Sequence, residues 1–299
     1  MRHIEGMREG RASTTASIVA SARGAAGIDP IAERLVPRGF RAVARGSRHA
    51  WARLVPLVDH MRVRTLAIDE DVVEAVAEGT RQVVILGAGL CARAWRMPEL
   101  AETTVFEVDH PSTQAYKRAR LEGLPSKARD VRFVGVDFEK DDLDIRLANA
   151  GHDTSAPTTW IWEGVTPYLT PLAIRTTIRA VRMASAPKST FVITYGTPIA
   201  SRVPKRRGRS MYFRLLRPLF QMLGEPLEGL ISVDDMHRLL EEQGFKVTDD
   251  ATYAELAKRL RVRAPRVASV VGERVLVARL PEPAPLDSRW RKGSPSGPN

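Results

Sequence analysis

The stretch Arg81-Gln-Val-Val-Ile-Leu-Gly-Ala-Gly-Leu-Cys-Ala-Arg-Ala-Trp-Arg96 joins an apolar strand to a Gly-x-Gly turn that should open a helix. Residues 83–86 form a short β-branched run suited to a strand that is buried on both faces. Gly87 and Gly89 let the backbone turn tightly and approach a ligand. This pattern is typical of a nucleotide-cradling turn in an α/β protein.

A second strand, Thr104-Val-Phe-Glu-Val, follows about twenty residues later and ends near the acids Glu107 and Asp109, where a pair of ribose hydroxyls is expected. The glycine turn alone also satisfies the form used to bind dinucleotides. It therefore does not separate an NAD(P)-dependent oxidoreductase from an enzyme with an adenosyl ligand. A tight strand-to-helix turn without a ligand is a third interpretation.

Strands and helices alternate after this turn, which indicates parallel strands joined by right-handed crossovers. The predicted strands are 104–108, 131–136, 159–162 and 189–195, and the predicted helices are 69–78, one from about 93, 112–122, 142–150 and 172–184. A helix over 233–244 and strands over 245–248 and 273–280 then predict a closing antiparallel pair. The fold class is α/β.

One domain with elaborations is expected from 299 residues. Residues 1–60 should form an N-terminal arm and cap helices, with a mobile arm over 1–27 and an amphipathic helix after Arg41 that Pro56 closes. Residues 61–280 should form the core, with a basic cap insertion at about 196–230. The Pro-, Ser- and Gly-rich segment 281–299 predicts a disordered tail.

Composition indicates a globular protein, with 43% hydrophobic and 27% charged residues and no apolar run of the roughly 20 residues that span a bilayer. The single cysteine, Cys91, excludes an internal disulfide, and we expect a cytoplasmic protein. The net charge of +11 comes mostly from two segments without acids, 34–53 and 202–217. These segments are solvated faces of the cap, or they guide an anionic substrate, or, as a lesser alternative, they bind nucleic acid.

Three further motifs lie in order behind the glycine turn: Phe106-Glu-Val-Asp-His-Pro111, Val134-Gly-Val-Asp-Phe138 and Trp160-Ile-Trp-Glu-Gly-Val-Thr-Pro-Tyr-Leu169. Together with Arg62-Val-Arg64, they make residues 12 to about 200 resemble the leucine carboxyl methyltransferase family, including its bacterial S-adenosylmethionine-dependent members. The resemblance implies a class I methyltransferase fold, which is Rossmann-like: a seven-stranded sheet with an antiparallel last strand and a helical cap.

The resemblance also implies S-adenosyl-L-methionine as cofactor, no metal, and a set of site residues. Gly87 and Gly89 would pass close to the methionine part, Arg62 or Arg64 would pair with its carboxylate, and Asp109 would bind the ribose. Asp137 and Phe138 would contact the adenine, whereas Glu163 and Tyr168 would line the cofactor and methyl-transfer pocket. From the residues alone, Glu107 either helps to bind the ribose or is a strand-end residue whose side chain turns inward. Glu163 could equally be a surface acid.

The sequence departs from the family at Cys91, where many members have aspartate, so the affinity for the cofactor is expected to change. Arg93 and Arg96 persist nearby, in a functional or a structural role. A carboxylate acceptor needs no general base, whereas a hydroxyl acceptor would need one, with His110, Glu163 or Tyr168 as local candidates. Of these, His110 is expected to order the turn before Pro111 rather than act as the base.

The sequence therefore predicts O-methylation of a small-molecule carboxylate or hydroxyl, with an anionic acceptor held by the basic cap. We expect no nucleic acid and no membrane as partners, and a monomer or a homodimer. An NAD(P)-dependent oxidoreductase and a non-catalytic adenosyl-ligand-binding protein are the alternatives. A nucleic-acid methyltransferase fits the charge, but the segment after residue 162 lacks the Asn/Asp-Pro-Pro-aromatic pattern used for base amino groups.

Overall fold

A computed structural model describes residues 14–45, 56–137, 141–198, 229–264 and 272–282. Seven strands form one sheet in the order β3-β2-β1-β4-β5-β7-β6. They are β1 (Gln82–Leu86), β2 (Thr104–Asp109), β3 (Asp130–Gly135), β4 (Thr158–Trp162), β5 (Thr190–Thr197), β6 (Lys246–Thr252) and β7 (Gly272–Arg279). The first five are parallel, and β7 is antiparallel to β5 and β6. The predicted sheet with its antiparallel last strand is confirmed.

Helices cover both faces of the sheet. They are α1 (Thr14–Ala25), α2 (Ala32–Leu35), α3 (Arg41–Ala44), α4 (Pro56–Ala77), α5 (Arg93–Arg96), α6 (Pro111–Leu121), α7 (Leu143–Asn149), α8 (Pro171–Met183), α9 (Val233–Glu242) and α10 (Tyr253–Arg259). Alternate residues of β1 belong to two different cores. Val83 and Ile85 pack with α4, whereas Val84 and Leu86 belong to the core that α7, α8 and α9 cover. All five residues of β1 are buried, as a central parallel strand requires.

The closing pair of strands is not a tight hairpin, because α10 lies between β6 and β7 in sequence. Thr252 begins α10 with a capping box, in which its side chain accepts from the Glu255 backbone and Glu255 bonds back to Thr252. In space β7 lies between β5 and β6, so β6 is the edge strand. The first residues of β7 are thereby placed beside the carboxyl ends of the parallel strands.

One prediction for the N-terminal region was wrong for the residues that the structure describes. The predicted mobile arm over 1–27 contains the ordered helix α1, which packs against α3 so closely that a Cβ on Gly24 would lie 2.8 Å from the Ala44 carbonyl oxygen. The structure describes α4 from Pro56 onwards, and the residues just before it lie outside the described ranges, so the predicted helix that Pro56 closes stays a prediction. The predicted helix over 69–78 is only the last part of a 22-residue helix.

Most of the predicted basic cap (199–228), of the segment before α4 (46–55) and of the tail (283–299) lies outside the described residues. Those three predictions stay predictions. No helix in the described ranges is long and apolar enough to cross a membrane.

Candidate active site

A cavity of about 450 Å³ opens at the carboxyl ends of the parallel strands. Register explains its position: Leu86 of β1 is opposite both Val108 of β2 and Trp162 of β4, so the residues that follow these strands meet at one edge. The lining residues come from α1, α4, the glycine turn, β2, the segment after β4 and β7, and include Arg23, Arg64, Gly87, Gly89, Cys91, Asp109, Glu163, Tyr168 and Glu273.

The glycine turn forms the floor of this cavity. Gly87 has φ +67° and Gly89 has φ +49°, conformations that side-chain-bearing residues rarely adopt. A Cβ on Gly87 would lie 2.6 Å from Cγ2 of Val165, so the turn also needs glycine for space. The two glycines predicted to approach the ligand therefore lie where that approach is possible.

Asp109 lies beside this turn at the end of β2. Its Oδ2 accepts a hydrogen bond from the Gly89 backbone N–H at 2.5 Å, and its Oδ1 accepts from the His110 N–H at 2.7 Å. Burial raises the pKa of Asp109, while these two N–H groups limit the rise. The Thr113 side chain also hydrogen-bonds this carboxylate. A carboxylate offers roughly four lone-pair sites, so at least one stays available to a ligand hydroxyl.

His110 is the N-cap of α6, and its Nδ1 accepts from the Ser112 backbone N–H at 3.2 Å. This capping confirms that it orders the turn. Glu107 points away from the cavity into the protein, where its carboxylate lies 2.6 Å from the Lys117 Nζ with both side chains 1% exposed. The suggestion that Glu107 assists at the ribose is wrong, and the alternative, a strand residue turned inward, is correct.

A buried network of two carboxylates and three guanidinium groups supports the other side of the cavity. Glu163 accepts from Arg64 Nε at 2.9 Å and from Arg93 Nη1 at 2.6 Å. Asp69 accepts from Arg93 Nε at 2.8 Å and lies 2.7 Å from Arg96 Nη1. Arg93 and Arg96 thus have structural roles in holding α4, α5 and the segment after β4 together.

The network fixes the charge of Glu163. Burial alone would raise its pKa, but Arg93 and Arg64 outweigh burial and hold the pKa of Glu163 well below its usual range. Glu163 lines the cavity as predicted, but a carboxylate that already neutralises two arginines is a poor proton acceptor. This argues against Glu163 as a general base.

A profile of the family described as leucine carboxyl methyltransferase matches residues 12–182, which is more than half of the chain. The chain belongs to the leucine carboxyl methyltransferase family. This match agrees with the resemblance that the motifs indicate.

One relative of this family member is a "Putative S-adenosyl-L-methionine-dependent methyltransferase" of Mycobacterium avium (strain 104). It is 38% identical over 198 residues, which cover 59% of this chain and 62% of the relative. A protein of the same name from Mycolicibacterium gilvum (strain PYR-GCK) is 40% identical over 144 residues, or 48% of this chain and 47% of the relative. The chain thus matches about half to three fifths of the length of these relatives.

Two solved structures share the fold. A duf574 family protein from Streptomyces avermitilis has a TM-score of 0.58 at 15% identity, with 91% of this chain and 99% of that one covered. A protein described as a putative methyltransferase from Thermobifida fusca has a TM-score of 0.55 at 18% identity, with 89% and 95% covered. At this identity the likeness concerns the fold alone, and that fold is the class I methyltransferase fold.

Of the two arginines that the family motif offers, only Arg64 reaches the site. Arg62 is exposed on the outer side of α4 and is not among the described residues that line the cavity. Arg23 of α1 was missed: it lines the cavity with only 5% of its surface exposed, and donates from Nη2 to the Leu90 carbonyl at 2.7 Å. The sequence does contain a signal for this helix: small residues recur every four positions at Ala16, Ala20 and Gly24, which indicates a closely packed helix.

The family's adenine-contacting pair is only partly described. Asp137 follows β3, is half-buried, and its N–H donates to Asp141 Oδ2 at 2.8 Å; it is not part of the described cavity wall. Phe138 lies outside the described residues. Tyr168 does line the cavity, in a short 3₁₀ turn over Thr166–Tyr168 whose Thr166 hydroxyl donates to the Thr194 carbonyl at 2.8 Å.

Cys91, where the resemblance implies an aspartate in many family members, also lines the cavity. Its sulfur accepts from Arg93 Nη1 at 3.4 Å. Because Arg93 also contacts Asp69 and Glu163, it is neutralised without an acid at residue 91.

The described arginines Arg34 and Arg45 of the basic segment 34–53 make contacts away from the cavity. Arg34 donates to the carbonyls of Arg120 and Glu122, and Arg45 pairs with Glu33 at 2.6 Å on the surface. Neither lines the described cavity. Among the described residues that line the cavity, the cationic groups are Arg23 and Arg64. Within the described ranges, no three His, Cys, Asp or Glu side chains converge as a metal site would require.

Proposed function

We propose that this chain is an S-adenosyl-L-methionine-dependent methyltransferase that methylates an oxygen atom of a small molecule, either a carboxylate or a hydroxyl. The observation that carries the proposal is the contact between Asp109 and Gly89, with 2.5 Å between Oδ2 and the backbone nitrogen. It joins an acid at the end of β2 to the glycine turn after β1. In an adenosyl ligand, the ribose would contact the acid and the chain attached to the ribose would pass the glycine turn. The two groups therefore have to lie side by side.

The residues present fit this cofactor in three respects. Gly87 and Gly89 leave the turn without side chains, Asp109 offers a carboxylate to hydroxyls, and Arg23 and Arg64 supply guanidinium groups for a carboxylate. When bound, the cofactor supplies a methyl group on a sulfonium. The chain's own task is to hold an acceptor in line with that methyl and to exclude water, which helix α1 supports by covering the turn.

A small acceptor is favoured by the size of the cavity, about 450 Å³, and by the packing of α1 over it. The proposal of an anionic acceptor depends on the arginines between 202 and 217, which lie outside the described residues. The described part of the first basic segment lends no support to nucleic acid as the acceptor, because Arg34 and Arg45 are used in other contacts.

Isothermal titration with S-adenosylmethionine and S-adenosylhomocysteine tests the proposal, with NADH as the control ligand. We expect micromolar binding of both adenosyl ligands and none of NADH. Asp109→Asn should abolish that binding. The matched acid Asp130→Asn, which pairs with Arg132 on the surface at 2.8 Å, should leave it unchanged. Melting temperatures of both variants separate a lost ligand contact from a lost fold.

Tight NADH binding without adenosyl-ligand binding would instead favour the oxidoreductase alternative. Adenosyl-ligand binding without methyl transfer to any member of a broad panel of acids, phenols and alcohols would favour the non-catalytic binding protein.

A further inference from the structure

The segment that follows β4 forms one wall of the cavity, and we call its residues 163–168 the wall turn. Its lining residues are Glu163, Gly164, Val165, Pro167 and Tyr168. Gly164 has φ +70°, and a 3₁₀ turn follows over Thr166–Tyr168, so the wall consists of irregular backbone. Buried irregular backbone needs hydrogen-bond partners from elsewhere in the fold.

Thr194 of β5 supplies two of these hydrogen bonds. Its side-chain Oγ1 accepts from the Gly164 backbone N–H at 2.7 Å, and its backbone carbonyl accepts from the Thr166 hydroxyl at 2.8 Å. Thr194 is 4% exposed and Thr166 is completely buried. Water therefore has little access to replace either partner, and the wall turn depends on Thr194 for both bonds.

Gly229 adds a third hydrogen bond to the wall turn. Its N–H donates to the Pro167 carbonyl at 3.0 Å. The approach is so close that a Cβ on Gly229 would overlap the Thr166 carbonyl oxygen. The chain just beyond Gly229 is fixed to β5, because the Ile231 N–H donates to the Gly196 carbonyl at 3.0 Å. Gly229 and β5 thus hold the wall turn together.

Val165 connects the wall turn to the glycine turn on the cavity floor. It lies between Gly164 and Thr166, the two residues that bond to Thr194. Its Cγ2 would lie only 2.6 Å from a Cβ on Gly87, so the two turns are in close contact. Close-packed interiors transmit small displacements. A wall turn released from Thr194 would therefore move Val165 relative to the floor of the cavity.

We propose that Thr194 and Gly229 are positioning residues of the methyl-transfer site, which act through Val165 and set the shape in which the cavity binds the adenosyl ligand. This inference rests on the proposed function. Neither Thr194 nor Gly229 is among the described residues that line the cavity, so their effect on a ligand passes through the wall turn. The arginine contacts of Glu163 anchor the first residue of that turn, and Thr194 and Gly229 anchor the rest.

The first test is Thr194→Val, because valine has nearly the shape of threonine but no hydroxyl. The Gly164 N–H loses its partner, and we expect the dissociation constant for S-adenosylhomocysteine, titrated into the full-length chain, to rise at least about tenfold. Thr194→Ser keeps the hydroxyl and should restore the constant to within about threefold.

Thr159→Val is the matched control for this variant. Thr159 is completely buried in β4, and its Oγ1 makes no hydrogen bond with any described residue. The dissociation constant should therefore stay within about twofold of that of the unmodified protein. An equal loss of affinity in Thr159→Val and Thr194→Val would overturn the inference.

The second test is Gly229→Ala, with Gly39→Ala as its control. The new Cβ at Gly229 forces the wall turn away, whereas nothing lies within 4 Å of a Cβ on Gly39. We expect the dissociation constant for S-adenosylhomocysteine to rise at least about tenfold in Gly229→Ala and to change less than about twofold in Gly39→Ala. If Thr194→Val does not fold, Thr166→Val removes the bond to the Thr194 carbonyl and takes its place.

Amide hydrogen exchange separates a role in the site from a role in stability alone. Peptides that cover the wall turn should exchange at least about tenfold faster in Thr194→Val and Gly229→Ala, whereas peptides of β1 should not change. Unchanged exchange at the wall turn overturns the inference. Faster exchange with unchanged affinity for S-adenosylhomocysteine also overturns it, since both residues would then be purely structural. If the unmodified protein binds no S-adenosylhomocysteine, the proposed function has failed, and the exchange rates still decide whether Thr194 and Gly229 hold the wall turn.

Discussion

Nη1 of Arg93 lies 2.6 Å from Oε2 of Glu163, with side-chain exposures of 1% and 7%. The pair joins the short helix after the glycine turn to the segment after β4, and Arg64 attaches both to α4. Charges buried in this way stabilise a fold only while they are paired, since an unpaired buried ion costs several kcal/mol. The network therefore determines the shape of the cavity wall.

Removing the shared carboxylate should destabilise the protein strongly. Glu163→Ala leaves Arg64 and Arg93 short of a partner, and we expect a loss of about 3–5 kcal/mol in the free energy of unfolding, measured with urea. The control is Glu102→Ala, which removes a surface pair with Arg81 at 3.3 Å and should cost less than about 1 kcal/mol. Similar losses in both variants would contradict the argument.

Alanine at Gly87 should cost more than alanine at another glycine with the same backbone. Gly87 (φ +67°) and Gly123 (φ +73°) both have a positive φ, so each substitution is strained by about 1–2 kcal/mol. Only Gly87 faces an obstacle, Val165 Cγ2 at 2.6 Å from the new Cβ; nothing lies within 4 Å at Gly123. We expect Gly87→Ala to lose about 1–3 kcal/mol more. Adding Val165→Ala should recover part of that difference; no recovery would mean that the clash is not the cause.

Arg23 should contribute to ligand affinity although it lies in the region predicted to be a mobile arm. Arg23→Met removes a buried guanidinium from the cavity wall, and we expect the dissociation constant for S-adenosylhomocysteine to rise at least tenfold, as the loss of a charge-assisted hydrogen bond implies. Arg62→Met, on the exposed side of α4, should leave it unchanged. An equal effect at both positions would mean that net charge, not contact, sets the affinity.

Asp71 should make stability depend on pH. Burial and the carboxylates of Asp249, Glu74 and Glu70 raise its pKa to about 7. Because the folded pKa lies above the unfolded value of about 3.9, ionised Asp71 destabilises the fold, from about pH 4 upwards and fully above pH 7. Asp71→Asn should thus stabilise the protein by roughly 2 kcal/mol at pH 8 and by almost nothing below pH 4.

Urea unfolding at pH 4, 6 and 8 measures this dependence. Glu242→Gln, an exposed acid on α9, is the control and should change stability by less than about 0.5 kcal/mol at each pH. A gain from Asp71→Asn that is the same at all three pH values would show that ionisation is not its source.

Local sequence signals predicted the sheet and one side of the site well. The β-branched run over 83–86 reflects the burial of this strand on both faces. The acid at Asp109 follows from the ends of parallel strands meeting at one edge of the sheet. Both predictions agree with the structure. The arginine network could not be predicted in this way, because Arg64 and Glu163 are 99 residues apart and either could have faced solvent. Likewise Glu107 and Asp109 differ by two positions and look alike in sequence, yet only Asp109 reaches the cavity, since Glu107 is enclosed before the strand ends.

The position of β7 between β5 and β6 has a consequence for synthesis on the ribosome. β6 pairs with β7 and not with β5, the strand before it in sequence. It therefore cannot join the sheet before β7, the last strand of the sheet, has been synthesised. Until then β5 exposes an unpaired edge, which is the kind of surface that nascent chains use to associate wrongly. The same late event delivers Glu273 to the cavity, so a chain stalled before residue 272 has the glycine turn and Asp109 but lacks this carboxylate.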